Sequence, residues 1–339
     1  MAFVQLQPKN ALRKARDFQK VGRVQDACDA LHNAITTKRT GRVWTPELEV
    51  MMLEFISLTV ELRDPRRAKD GLYHYRQMTQ VQAPASLEKV IMALIELSAR
   101  KAAEARARAE MDAGAPGTGG AAGAGGLAGV DDLEDGGQSP EALLMGAVSA
   151  EGSRERAERD ILLPWVRHMW DTYRNVLETL RNATKLERVY HAVAVRAMGF
   201  CRVYARGSEF RKLAKMLRDH FAGLRRTHEA AGTAAPAGGA AAAAGGPLPP
   251  ESVEAHLTTR FAQLEACADM SLWNEGFRTI EDIYGACVCN RGGRRGVCGR
   301  RWRSGVWQHR CAPKDADFLP DNGAPPLGAC RADGTKLYI

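Results

Sequence analysis

The 339-residue sequence is poor in aromatic residues, which make up only 6% of it, and it lacks long apolar runs. No stretch approaches the roughly 20 continuous apolar residues of a transmembrane helix, and residues 1–10 contain no apolar run typical of a signal peptide. Runs of strand length that alternate apolar and polar residues are also missing, which argues against an all-β fold. These absences predict a soluble, intracellular protein that is located in the cytoplasm and contacts no membrane.

Motifs that would mark an enzyme or a metal site are missing too. There is no phosphate-binding glycine-rich loop between a strand and a helix, no H-E-x-x-H and no G-x-S-x-G. The sequence has eight cysteines, but no two of them form a C-x-x-C pair, so a zinc site is not expected. We therefore predict a protein that is not an enzyme and that has no catalytic residues, no cofactor, no metal site and no small-molecule substrate.

The cysteines and histidines have ordinary structural explanations. Cys28, Cys201 and Cys267 lie on or beside apolar helical stripes and are expected to be buried thiols. His191 and His220 also lie on or beside such stripes and have no partner at metal-ligand spacing, so we expect core-edge residues rather than ligands. The remaining cysteines crowd into the last 53 residues of the chain: Cys287, Cys289, Cys298, Cys311 and Cys330.

The sequence does have a helical period of apolar residues through most of its length up to residue 286. A first apolar stripe runs from Ala11 to Phe18 and a second begins at Val24, with Gly22 at the break between them. Ser86 is the expected N-cap of a later helix. The pattern predicts an all-α fold of tetratricopeptide-like antiparallel helix pairs that stack into a right-handed superhelix.

Two low-complexity stretches interrupt the helical pattern. Residues 112–129 contain eight glycines, and residues 230–250 contain ten alanines, five glycines and four prolines. Neither stretch can bury enough apolar surface to offset the entropy of ordering. The predicted organisation is a helical segment 1–111, a flexible linker 112–138, a helical segment 139–229, a flexible linker 230–250, a helical hairpin 251–286 and a disordered basic Cys/Gly-rich tail 287–339.

The net charge of +8 is concentrated at the two ends of the chain. Residues 1–45 carry nine Lys and Arg against three Asp, and residues 287–339 carry ten against four. A surface that contacts RNA or the ribosome through phosphate groups is one explanation, and ordinary solvation of a charged helix face is the other. The candidate residues lie on the first helix and in the loop after the second: Lys9, Arg13, Lys14, Arg16, Lys20, Lys38, Arg39 and Arg42.

Six short motifs are spread along the helical part of the sequence: PKNAL at 8–12, KDGLYHY at 69–75, LPWVRHMWDTYR at 163–174, SEFRKL at 208–213, LWNEGF at 272–277 and EDIYG at 281–285. In order and in approximate spacing they resemble the family of the largest (A) subunit of eukaryotic translation initiation factor 3. The resemblance covers about residues 8 to 286, apart from the two linkers, and linked motifs of this kind are more specific than a generic helical repeat.

This resemblance implies a non-enzymatic scaffold in a complex of many subunits, which binds the small ribosomal subunit while helping to recruit mRNA and initiator tRNA. The partners that it implies are the other subunits of initiation factor 3, especially the C subunit, together with mRNA and the small ribosomal subunit. The matched motifs are mostly core positions, so Trp165, Trp170, Tyr173 and Phe210 are expected to pack inside the fold rather than to contact partners.

The resemblance stops near Ala286. The PCI module that follows the helical repeats in this family has no counterpart, and residues 287–339 show no helical period. An artefact of the gene model, with translated non-coding sequence as the tail, is the favoured explanation, and a genuine alternative end is the other. A stack of repeats that ends before its next layer is expected to expose an apolar face.

Three other functions stay open at this point. A tetratricopeptide-type adaptor would bind an acidic peptide in a basic groove. A scaffold of the proteasome lid or of the signalosome would also stack helical repeats before a PCI module, but it would lack the motifs at 163–165 and 208–210. A binder of metal or nucleic acid could use the tail, through Cys287, Cys289, Cys298, Cys311 and His309.

Overall fold

The computed structural model describes residues 8–36, 44–112, 133, 158–181, 183–234 and 248–291. Lys38, Arg39 and Arg42 of the candidate basic surface lie outside these ranges, as does the predicted tail from residue 292 onward. Within the described ranges all regular structure is helical, and no strand is present.

Ten α-helices make up the described part of the chain. Five precede the first low-complexity stretch or extend to it: α1 (Pro8–Lys20), α2 (Val24–Thr36), α3 (Pro46–Glu61), α4 (Pro65–Gln82) and α5 (Pro84–Asp112). Five follow it, after a short π-helical turn at Glu158–Leu162: α6 (Leu163–Leu180), α7 (Glu187–Val203), α8 (Gly207–Ala234), α9 (Pro250–Asp269) and α10 (Trp273–Arg291). A 3₁₀ turn at Thr184–Leu186 precedes α7.

Neighbouring helices pack in the order expected of helical repeats. From α1 to α4, each helix contacts the next helix and the one after it, and α7 in the same way contacts both α8 and α9. Helix α6 connects the two halves, because it contacts α4 and α5 on one side and α7 on the other. This order of contacts confirms the predicted all-α fold of stacked helix pairs.

The same turn joins the two helices of four pairs, α1–α2, α3–α4, α7–α8 and α9–α10. In each turn the second residue after the first helix has a positive φ: Gly22 at 81°, Arg63 at 53°, Ala205 at 51° and Ser271 at 56°. The N–H of the residue that follows donates to the carbonyl five positions back, over 2.8 to 3.0 Å. This hydrogen-bond pattern is the Schellman motif that ends many helices. It recurs in all four turns, although Gly22 is the only glycine among the four residues with positive φ, and this recurrence supports the interpretation of the helix pairs as structural repeats.

The core contains the aromatic residues that the sequence pattern predicts to be packed. Trp170, Tyr173 and Phe210 are buried, and Trp165 is partly buried and packs against the same core. Cys28, Cys201 and Cys267 are buried free thiols, as predicted. The aromatic side chains of the shared motifs therefore stabilise the helical stack.

Ser86 does not have the predicted role. Helix α5 begins at Pro84, which places Ser86 inside the first turn rather than at the N-cap. Its hydroxyl lies 2.6 Å from the Tyr75 hydroxyl and donates to Glu49 Oε2 at 2.5 Å. The prediction was wrong because the side chain links α3, α4 and α5 and is not available to a backbone N–H of its own helix.

One residue inside the predicted linker 112–138 is buried in the helical stack. Leu133 packs in the hydrophobic core, and its N–H donates to Glu209 Oε1 of α8 at 2.7 Å. The carboxylate of Glu209 also pairs with the guanidinium of Arg206. This single position is therefore anchored to α8, and the rest of the predicted linker after Asp112 lies outside the described residues.

Candidate functional site

Helix α1 presents the cationic side chains that the sequence predicted to form a basic surface. Ala11, Leu12 and Ala15 are buried against α2 and α3, so the helical period turns the polar positions outward. The described cations of the set are all exposed: Lys9, Arg13, Lys14, Arg16 and Lys20.

Three of these cations already have a neighbour within the fold. Lys9 Nζ lies 2.7 Å from Glu47 Oε1 of α3, and Lys20 Nζ lies 3.4 Å from Asp17 Oδ1. Both pairs are exposed, and exposed ion pairs contribute about 0 to 1 kcal/mol. The Lys14 ammonium lies 5.6 Å from the centre of the Phe18 ring.

Arg13 and Arg16 are the two cations of this face for which the described ranges show neither an ion pair nor an aromatic ring as a neighbour. They are three positions apart, so they lie on the same side of α1. Two exposed guanidinium groups at this spacing can each form a bidentate contact with a phosphate group. They are the part of the predicted surface that is best suited to an external anion.

Helix α10 exposes a row of large apolar side chains. Trp273 is 64% exposed and Phe277 is 67% exposed, and Ile280 is exposed on the same helix. The spacing of four and then three residues places them on one side of α10. Exposed apolar patches of this kind mark surfaces that contact other macromolecules.

A cavity of about 240 Å³ lies between the end of α6, α7, α8 and α9. Three histidines line it, His220, His228 and His256, together with Glu187 and Tyr190. The Tyr190 hydroxyl lies 3.0 Å from His220 Nδ1, and His220 Nε2 lies 3.7 Å from a carboxylate oxygen of Glu178. Both nitrogens of His220 therefore have a polar neighbour, as the sequence predicted for a core-edge histidine.

His191 is 8% exposed and neighbours Glu187 and His256, two residues that line this cavity. It is one helical turn from Glu187 on α7, and its ring contacts His256 of α9 edge to face, with ring centres 4.5 Å apart. His191 Nε2 and His256 Nε2 are each 3.9 Å from Glu187 Oε1. The sequence shows Glu187 and His191 one helical turn apart on α7. It does not show that His256 lies beside them, because His256 belongs to another helix and is 65 positions beyond His191.

Burial lowers the pKa of each of these histidines. The pKa of His256 falls to about 3, first through burial and then through the nearby His191 and Arg260. The pKa values of His191 and His220 are also lowered, mainly by burial, although Glu187 and Glu178 respectively act in the opposite direction. All three imidazoles are therefore neutral at physiological pH.

The buried thiols do not offer a nucleophile. Burial raises the pKa of Cys28, Cys201 and Cys267 above the usual value for a thiol, so each is protonated and unreactive near neutral pH. In the described ranges, no helix has both the length and the apolar character needed to cross a lipid bilayer.

Comparison with known proteins gives consistent matches over most of the chain. Residues 9–292 match the family described as eIF3a, PCI domain, TPR-like region. The A subunit of eukaryotic translation initiation factor 3 from Arabidopsis thaliana is 39% identical over 278 residues, which cover 82% of this chain and 26% of that protein. The Xenopus tropicalis protein of the same name is 37% identical over 82% of this chain and 18% of its own length.

The A subunit of initiation factor 3 from Aspergillus niger is 37% identical to this chain over 279 residues, which cover 82% of this chain and 25% of that protein. The chain thus spans between 18% and 26% of the length of these relatives. The family match includes all ten described helices, apart from the first residue of α1, and stops one residue beyond α10.

Proposed function

Because the chain belongs to the A-subunit family of eukaryotic translation initiation factor 3, we propose that it is a non-enzymatic scaffold of the initiation factor 3 complex in the cytoplasm. Its helical repeats bury one face on each other and leave the other available to partner subunits. Family membership favours this function over a peptide-binding adaptor and over a scaffold of the proteasome lid or the signalosome.

The exposed apolar face of α10 is the observation that carries the scaffold function. Trp273, Phe277 and Ile280 form one ridge along the helix, which is the arrangement that packs into the groove of another helix. The occupant that fits this ridge is an amphipathic helix from a different subunit in the complex. Aromatic anchors of this size dominate the binding energy of protein interfaces.

A pull-down with a surface variant tests this function. Tagged full-length chain is expressed in eukaryotic cells, and the co-purifying proteins are quantified for the chain itself and for the double variant Trp273→Gln and Phe277→Gln. A matched control replaces two exposed apolar residues of α4, Tyr73→Gln and Val81→Gln. We expect recovery of the other initiation factor 3 subunits to fall at least about tenfold for the α10 variant only.

Equal recovery from both variants would contradict this use of α10. Self-association of the chain that the α10 variant abolishes, measured by light scattering, would assign the ridge to a second copy and would likewise contradict it.

A basic surface on α1 is the second element of the proposed function, and its target is the ribosome. The exposed Arg13 and Arg16, with Lys20 on the same side of α1, form a phosphate-contacting surface for the small ribosomal subunit. No aromatic residue stands between these cations on that side, so the surface follows the charge of an RNA backbone and does not read bases. In this arrangement the scaffold supports recruitment of mRNA and initiator tRNA through the complex, and its main protein partner is the C subunit.

A charge-reversal variant tests the ribosome contact. Replacing Arg13, Arg16 and Lys20 by Glu should weaken binding to purified small ribosomal subunits. Binding should also depend less steeply on salt, with the slope of log K against log salt smaller in magnitude by roughly 2 to 3.

The control reverses three exposed cations elsewhere on the stack, Arg188, Arg211 and Lys215, which gives the same change in net charge. Equal loss of binding in both variants would indicate a general effect of net charge and would count against a specific surface on α1.

A further inference from the structure

We infer that Glu187, His191 and His256 form a binding site for a zinc ion between α7 and α9. The possible ligand atoms of these three residues lie within 4.8 Å of one another. Two imidazoles and one carboxylate are a ligand set that suits Zn²⁺. These residues belong to a part of the molecule that the scaffold function does not use.

Three ligand atoms are arranged around one point. The Nε2 atoms of His191 and His256 are each 3.9 Å from the same carboxylate oxygen, Oε1 of Glu187. Ligand atoms of a tetrahedral zinc ion, bound at about 2.0 to 2.1 Å, are roughly 3.3 Å apart. A shift of each side chain by about half an ångström therefore closes the site around the metal.

Two of these atoms are also buried without a partner. Glu187 Oε1 and His191 Nε2 are both inaccessible, and neither has a hydrogen-bond partner among the described residues. An unsatisfied buried polar atom of this kind costs about 1 to 3 kcal/mol, and more if it is charged. Both atoms face the same point, so one ion would satisfy them together.

The hydrogen bonds on the outer side of the site suit the tautomer that zinc requires. The Thr259 hydroxyl can donate to the carbonyl oxygen of Ala255 at 3.0 Å, which leaves its oxygen free to accept from His191 Nδ1–H, 2.7 Å away. In that tautomer the lone pair of His191 lies on Nε2, on the side of the Glu187 carboxylate. An outer hydrogen bond to Nδ1–H is the usual support of a zinc-ligating histidine.

The remaining ligands are held in place as well. Ser252 donates to the other carboxylate oxygen of Glu187, Oε2, at 2.7 Å, which leaves Oε1 for the metal. The ring of His256 lies between His191 and Phe221, with ring centres 4.5 Å and 4.3 Å away. Glu187 and His256 also line the cavity, which has room for water beside the site.

Zinc titration of the full-length chain tests the inference, with protein that carries no polyhistidine tag. The background protein has the five tail cysteines replaced by Ser, so that non-specific binding of zinc by thiols does not contribute to the signal. Isothermal titration should show one Zn²⁺ per chain. The variants His191→Gln, His256→Gln and Glu187→Gln should each raise the Kd at least about tenfold.

His220→Gln is the matched control, because His220 lines the same cavity but both of its nitrogens face other groups. It should leave the Kd unchanged within about twofold. Glu187→Gln keeps the volume of the side chain and the hydrogen bond from Ser252, so it stays informative even if a histidine variant fails to fold.

A spectrum of the cobalt-substituted protein gives an independent readout. Co²⁺ bound at nitrogen and oxygen ligands should show weak visible bands without a thiolate-to-metal charge-transfer band, and Glu187→Gln should abolish them. Zinc that fails to bind at one equivalent, or that binds equally well to the three ligand variants and to His220→Gln, would overturn the inference.

Discussion

Arg206 and Glu209 form a buried ion pair at the start of α8, and they give a sharp test of how this fold is held together. Arg206 is 4% exposed and Glu209 is fully buried. The guanidinium donates through Nε to Oε2 at 3.1 Å and through Nη2 to Oε1 at 3.2 Å. The same carboxylate accepts the N–H of Leu133 at 2.7 Å, so removal of either charged side chain leaves the other buried.

The perturbation is a double-mutant cycle of Arg206→Met and Glu209→Leu. Each single variant removes one member of this buried ion pair, which costs about 3 to 5 kcal/mol in the free energy of unfolding. The double variant removes both members of the pair, and the N–H of Leu133 then loses its acceptor, which costs about 1 to 3 kcal/mol. The two substitutions should therefore be far from additive, with a coupling energy of at least about 2 kcal/mol.

Urea unfolding followed by far-ultraviolet circular dichroism measures the four proteins of the cycle. Each single variant should lose roughly 6 to 20 °C in Tm as well, and the double variant should recover part of that loss. If the two free-energy changes simply add, the pair does not act as a unit and the reasoning from its burial is wrong.

Three single positions give further predictions. Ser271→Gly should raise the free energy of unfolding by about 0.5 to 1 kcal/mol in urea titrations, because glycine adopts the positive φ of that turn without strain. Gly71→Ala should lower it by about 1 to 3 kcal/mol in the same assay, since the added methyl group would overlap the Phe55 ring. Burial and the charge of Arg63 lower the pKa of His168 to about 4, so protonation favours the unfolded chain. The free energy of unfolding should therefore fall by about 3 kcal/mol from pH 6.5 to pH 4 on account of His168. In urea titrations at both pH values, His168→Gln should remove this part of the pH dependence of the unfolding midpoint.

The helical pairs could be predicted from the sequence, but three of the four turns could not. Gly22 marks its turn because glycine is the common residue at positive φ. Arg63, Ala205 and Ser271 occupy the same position with side chains that give no such signal, and they are held there by the packing of the helices on either side. Local propensity therefore revealed one of the four turns, and tertiary structure was needed for the other three.

The candidate sites also differ in how far they could be predicted from the sequence. The basic face of α1 could be predicted because its residues lie within one helix, where a period of 3.6 decides which side each occupies. The cluster of Glu187, His191 and His256 could not, because it depends on how α9 packs on α7. Glu209 shows the reverse case: it belongs to a motif that is recognisable in the sequence, but only the structure shows that it forms a buried ion pair.

Co-expression with the C subunit of initiation factor 3 tests the scaffold function most directly. The tagged chain carries no substitution in this experiment, and the molar mass of the purified material is measured by size-exclusion chromatography with light scattering. We expect a stoichiometric complex of the two proteins. Elution of the chain alone, at its own mass of 37.0 kDa, would contradict the scaffold function.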